Sequence, residues 1–132
     1  DALALLKSTF DSAPEFESAR IWYAVGAVYN NRFDIVEKVL TPYFKTIAVP
    51  DDRLVKAYYD TKHYDLVLAV WKARVVATPT NPQFKISLAA AYLLTGARAQ
   101  AIEALQEALK LNPEAKAEIE RYISEIRAGR NP

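Results

Sequence analysis

Cysteine is absent from all 132 residues, which excludes disulfides, zinc–thiolate sites and cysteine nucleophiles. Histidine occurs once, at His63, so transition metals lack their usual ligands and no metal site or cofactor is expected. Glycine is scarce, and Gly26, Gly96 and Gly129 stand alone, so there is no glycine-rich phosphate loop. No G-x-S-x-G nucleophile elbow exists either, so catalytic residues and enzyme activity are not expected of this chain. No apolar run approaches the roughly 18 residues of a transmembrane helix, so the chain is not expected to insert into a membrane. Neither sign of charge dominates, with 17 Lys and Arg against 16 Asp and Glu. That balance provides no basic face for nucleic acid or for anionic lipid. Methionine is missing even at position 1, and the chain opens directly in the helical pattern Asp1-Ala2-Leu3-Ala4-Leu5-Leu6. We therefore expect a fragment of a longer chain or a processed one, with any targeting signal outside it.

What is present is apolar and periodic. Just over half of the residues are hydrophobic, and long stretches carry them at three- and four-residue spacing. No stretch shows sustained strand-type alternation, so the fold class is all-α. The spacing predicts helices near 2–10, 15–30, 33–41, 51–61, 64–77, 82–95, 98–111 and 114–128. Asn81-Pro82 and Asn112-Pro113 each place a capping side chain before a proline at the first helical position. Asp51-Asp52 puts carboxylates where a helix dipole favours them, and Pro14-Glu15 reads as a similar start. Ala128-Gly129 reads as a C-terminal cap. His63, in a turn between Lys62 and Tyr64, reads as a solvated residue.

An internal period runs through the second half. Leu54 and Leu88, Tyr58 and Tyr92, Leu68 and Ile102, Val75 and Leu109, and Pro79 and Pro113 are matched pairs at one offset of 34 residues. The pattern W-x2-L-G-x2-Y, then A-x3-F, then P has this period in helix–turn–helix units. On these residues the chain resembles the tetratricopeptide repeat family. Its best copy is 82–113, with Leu88-Ala89, Tyr92, Gly96, Ala101, Leu105 and Pro113 in place. A second copy occupies 48–81. In a first, irregular copy at 14–47, Trp22-x2-Val25-Gly26-x2-Tyr29 matches the first-helix signature. Its turn reads as two residues shorter than the later ones, and Pro42 is expected to break its second helix early. Residues 1–13 then form a half repeat and 114–129 a capping helix. The resemblance implies a single domain over 1–132: antiparallel helix–turn–helix repeats stacked into a short right-handed superhelical solenoid. Gly26 is expected where helices approach closely, with Trp22 and Tyr29 as its packing partners.

The same resemblance implies a concave groove lined by the first helix of each repeat. Carried onto this chain, its partner-binding residues are Tyr23, Asn30, Asp52, Lys56, Tyr59, Asp60, Ile86 and Leu93, with Ala27, Ala90 and Leu94 among them. A protein or peptide segment would lie there, and the function implied is a non-catalytic interaction scaffold. A second resemblance gives the alternative. The strings ARIWYAVGAVY, DDRLVKAYYDTKHYD and YISEIRAGRNP are similar to the repeat-containing tails of bacterial O-antigen ligase or polymerase type membrane proteins. That would make the chain an extramembrane accessory domain, in contact with the rest of a longer parent.

Overall fold

A computed structural model describes residues 2–132, and Asp1, the first residue of the expected half repeat, lies outside them. Among the described residues the structure is all-helical: α1 (Ala2–Ser12), α2 (Glu17–Tyr29), α3 (Phe33–Phe44), α4 (Asp52–Asp60), α5 (Tyr64–Ala77), α6 (Pro82–Leu94), α7 (Arg98–Leu111), a single 3-10 turn (Pro113–Ala115) and α8 (Lys116–Arg127). None of these helices is long and apolar enough to cross a membrane.

The helix starts divide into two kinds. Asp51 caps α4 with its carboxylate, which accepts from the Arg53 amide at 2.9 Å, and Asn81 caps α6 by accepting from the Phe84 amide at 3.1 Å. Pro14-Glu15 does not start α2, whose N-cap is Phe16, without a side-chain bond. Asn112 makes no side-chain cap either, because Pro113 enters the 3-10 turn and α8 begins only at Lys116.

The turns after α2, α4 and α6 are alike, and this corrects the expected irregularity at 30–32. Each has three residues, 30–32, 61–63 and 95–97. Each places its middle residue in the left-handed region: Asn31 at φ 55°, Lys62 at 63° and Gly96 at 79°. In each, the third amide donates five residues back, Arg32 to Ala27, His63 to Tyr58 and Ala97 to Tyr92, at 2.8–2.9 Å. The middle amides donate three residues back. This pair of bonds is the Schellman arrangement, which satisfies the last carbonyls of a helix. Gly129 (φ 84°) ends α8 with the same pair of bonds. The turns therefore align Ala27, not Tyr29, with Tyr58 and Tyr92.

The chain divides into two compact units, 1–67 and 68–132. In the first, α2 is the central element and packs against α1, α3 and α4. Its core holds Ile21, Ala24, Val28, Val36, Leu40, Leu54 and Tyr58. Burial pushes the Tyr58 phenol up, and its hydroxyl donates to the Ile47 carbonyl, fixing the 45–51 connection. α1 contributes no fully buried residue. It is seated by a notch, since a Cβ on Gly26 would stand 2.5 Å from Leu6 Cδ1. Gly26 is thus a close-approach residue, although Trp22 and Tyr29 are not buried around it.

Pro42 does not end α3, which continues to Phe44. Proline cannot donate to the carbonyl four residues earlier, and its ring pushes on that turn. That carbonyl is the one of Lys38. Arg20 donates to its neighbour, with Nη1 2.7 Å from the Val39 carbonyl, and Nη2 reaches the Pro14 carbonyl at 3.2 Å. The guanidinium lies between the rings of Phe10 (5.0 Å) and Tyr43 (4.6 Å). Its buried Nε has no partner among the described residues, a local cost that the other contacts offset.

In the second unit α7 packs against α6 and α8, around Leu88, Ala101, Leu105, Ala108, Ile119, Ile123 and Ile126. Ala89, Ala101, Ala104 and Ala108 are small residues at this contact. Trp71 of α5 packs on this core, with its ring 5.9 Å from Phe84. Ile119, Ile123 and Ile126 turn one face of α8 inward, and Glu118, Glu120 and Arg121 face water.

Candidate interaction surfaces

The helical wheel of α2 places Ser18, Trp22 and Tyr29 on one strip and Tyr23 and Ala27 on another. The structure buries the second strip and exposes the first. Trp22 is 45% exposed and Tyr29 49%, whereas Tyr23 is 6% exposed and Ala27 fully buried. The sequence assignment of the α2 faces is therefore corrected: Trp22 and Tyr29 do not fill the core, and Ala27 does not line an open groove. The error follows from aligning on Trp22 and Tyr29 instead of on the positive-φ turn, which shifts the register by two residues.

The exposed strip of α2 meets α4 in two polar contacts. At one end Arg53 chelates Asp51 through Nε and Nη2 (3.0 and 2.7 Å), donates to Ser18 Oγ at 3.0 Å and lies 5.2 Å over the Trp22 ring. Hydrogen bonding from Arg53 is the main cause that holds the Asp51 carboxyl below the usual carboxylate range. At the other end the Tyr29 hydroxyl donates to Asp60 Oδ2 at 2.7 Å, and Lys56 Nζ donates to the same oxygen at 2.5 Å. These two donors, Lys56 first, lower the Asp60 pKa, and the bond to Asp60 raises that of Tyr29. Tyr59, 51% exposed, follows on α4, its ring 5.8 Å from that of Tyr64.

Of the expected groove residues, the structure brings Lys56 and Asp60 together and leaves Tyr59 open beside them. Asp52 is exposed in the first turn of α4. Asn30 serves its own helix, donating from Nδ2 to the Gly26 carbonyl at 2.8 Å. Tyr23 lines a separate cleft between α1 and α3. In the second unit Ile86 and Leu93 line an apolar hollow of about 230 Å³ with Ala90, Tyr122, Ile126 and Pro132. His63 is half-buried, not solvated: Nδ1 lies 2.7 Å from Thr61 Oγ1, and the ring packs 4.7 Å from Phe33. Sequence reasoning missed Trp22, Tyr29 and Arg53 as surface residues. The signal available was the i, i+7 spacing of the two aromatics.

Among the described residues no group of three or more His, Cys, Asp or Glu could hold a metal ion. Compared with known proteins, the chain matches no family model, no curated protein and no solved structure.

Proposed function

We propose that the chain is built of helix–turn–helix units of the tetratricopeptide kind, and that the α2–α4 face binds an extended segment of a partner protein. The observation that carries the binding reading is the pair Trp22 and Tyr29, half-exposed on one strip of α2. Large aromatics left open beside ordered polar groups are the residues that dominate binding energy at interfaces. Arg53 and the Lys56–Asp60–Tyr29 contact hold that strip in fixed geometry, which lowers the entropy lost on binding. The recurrence of one turn after α2, α4 and α6 supports the repeat reading, as does the 34-residue offset between Tyr58 and Tyr92.

Selection from a displayed random-peptide library tests the binding reading. Selected peptides are expected to lose at least about tenfold in affinity to Trp22→Ala and to Tyr29→Ala, with the helical circular dichroism unchanged. An empty selection, or peptides indifferent to both changes, overturns it.

The strings similar to membrane-protein tails favour a second reading, in which this is an extramembrane accessory domain and the same face meets the rest of its parent chain. Several apolar segments of about 20 residues elsewhere in the parent gene are the expected finding. A parent gene without them rules that reading out.

A further inference from the structure

A second site lies away from the aromatic strip. Residues of α1, α2 and α3 line a cleft of about 540 Å³, within the usual size of a small-molecule site. Its floor is aromatic, with the rings of Phe10 and Tyr23 centred 5.5 Å apart. Ile35 and Val39 add an apolar wall. Tyr23 is the informative residue. Most of the residue is buried, but its hydroxyl is not among the buried atoms that lack a partner: it makes no hydrogen bond among the described residues and stays accessible from the cleft. An accessible phenol hydroxyl at the wall of a cleft is free to donate to whatever occupies it. Tyr23 is close enough to Lys7 and Arg32 to contribute to their raised pKa values, after the larger effects of Asp11 and Asp34.

The charges around the hydroxyl are unequal. Lys7 pairs with Asp11 at 2.6 Å and Arg32 with Asp34 at 2.9 Å. Lys38, the third cation lining the cleft, has no ion pair among the described residues. One uncompensated positive charge, one free hydroxyl donor and an aromatic floor suit a ligand with a single negative charge and a short apolar body.

We propose that the α1–α3 cleft binds a small monocarboxylic acid with an apolar or aromatic tail. The carboxylate takes the Tyr23 hydroxyl proton as a hydrogen bond and Lys38 as its counter-ion, and the tail lies on Phe10. This site is independent of the α2–α4 binding reading.

Phenylacetate, the uncharged phenylacetamide and an N-acetylated tripeptide ending in phenylalanine are the probes, titrated into isotope-labelled protein and followed by NMR. Phenylacetate is expected to saturate shifts around Tyr23, Ile35 and Lys38 with a Kd of about 1 mM or lower, and phenylacetamide to bind at least about tenfold more weakly. Tyr23→Phe and Lys38→Gln are each expected to weaken phenylacetate by about three- to tenfold. The melting temperature of Tyr23→Phe should stay at the wild-type value, because its hydroxyl has no partner to lose. Any of four results overturns the proposal: no saturation, equal binding of acid and amide, affinity unmoved by both substitutions, or a tripeptide that binds more tightly than phenylacetate. The last would assign the cleft to a chain end.

Discussion

Arg20 Nη1 donates to the carbonyl of Val39, 19 residues later in the chain and 2.7 Å away. This one bond crosses from α2 to the turn of α3 that Pro42 disturbs. It ties α2 to α3 at the carbonyl next to the one that Pro42 leaves without its regular helical donor.

The two residues should therefore be coupled. Arg20→Met keeps an apolar stem and is expected to cost about 2–3 kcal/mol of stability, the range for hydrogen bonds to a charged donor. Pro42→Ala restores the missing amide and is expected to stabilise by up to about 3 kcal/mol. With Ala at 42 the Lys38 carbonyl regains its donor and the ring no longer pushes on the turn. The neighbouring Val39 carbonyl then depends less on Arg20, and Arg20→Met should cost less. Urea unfolding of the four proteins measures the coupling. Equal costs in both backgrounds would show that Arg20 does not act through the proline turn.

Gly26 decides how α1 is held. Alanine gains about 1 kcal/mol in helix propensity, but its Cβ displaces Leu6 Cδ1, the free end of a flexible side chain. The two effects are opposed, and Gly26→Ala alone should change stability by less than about 1 kcal/mol. On a Leu6→Ala background the steric conflict is gone, and the same change should stabilise. Gly26→Leu is expected to lift α1 from α2. Hydrogen exchange would then show amides of 2–12 losing protection while those of α3 keep theirs. Protection retained in α1 would sink the notch argument.

The Asp51–Arg53 pair sets a pH dependence. Arg53 lowers the folded-state pKa of Asp51 below the ordinary value of about 3.9. Its contribution is therefore complete above that value and is lost as pH falls through the lower folded-state pKa. Asp51→Asn keeps a good N-cap and removes only the charge. At neutral pH this should cost about 0.5–1 kcal/mol, since the pair is partly exposed. The gap between wild type and variant should be constant from about pH 7 to 5 and close below about pH 4. A gap that widens on acidification would contradict the assignment.

The helices were legible because their signals are local. Three- and four-residue spacing locates them, and Asp51 and Asn81 act on amides two and three residues away. Gly26 was legible as a close-approach residue, since a glycine inside a helix needs a packing reason. The Arg20 bond beside Pro42 was not legible, because it joins side chain and main chain of two different helices. The face of α2 was misjudged for a different reason. Trp22 and Tyr29 fit a stripe of apolar residues as well as Tyr23 and Ala27 do, and composition does not say which stripe is covered. The deciding landmark is the left-handed residue of each turn. It is a glycine only at position 96, and Asn31 and Lys62 carry the same backbone without announcing it.

Those turns have a consequence for how the chain can vary. Each reversal at 30–32, 61–63 and 95–97 is fixed by one left-handed residue and two bonds between main-chain atoms. A joint made of main chain places few demands on the side chains that its helices display. α2 can then carry aromatics, α4 ions and α6 aliphatics on their outward surfaces while the chain reverses in the same way after each. Substitution can rewrite what each helix offers to its surroundings and leave the joinery alone.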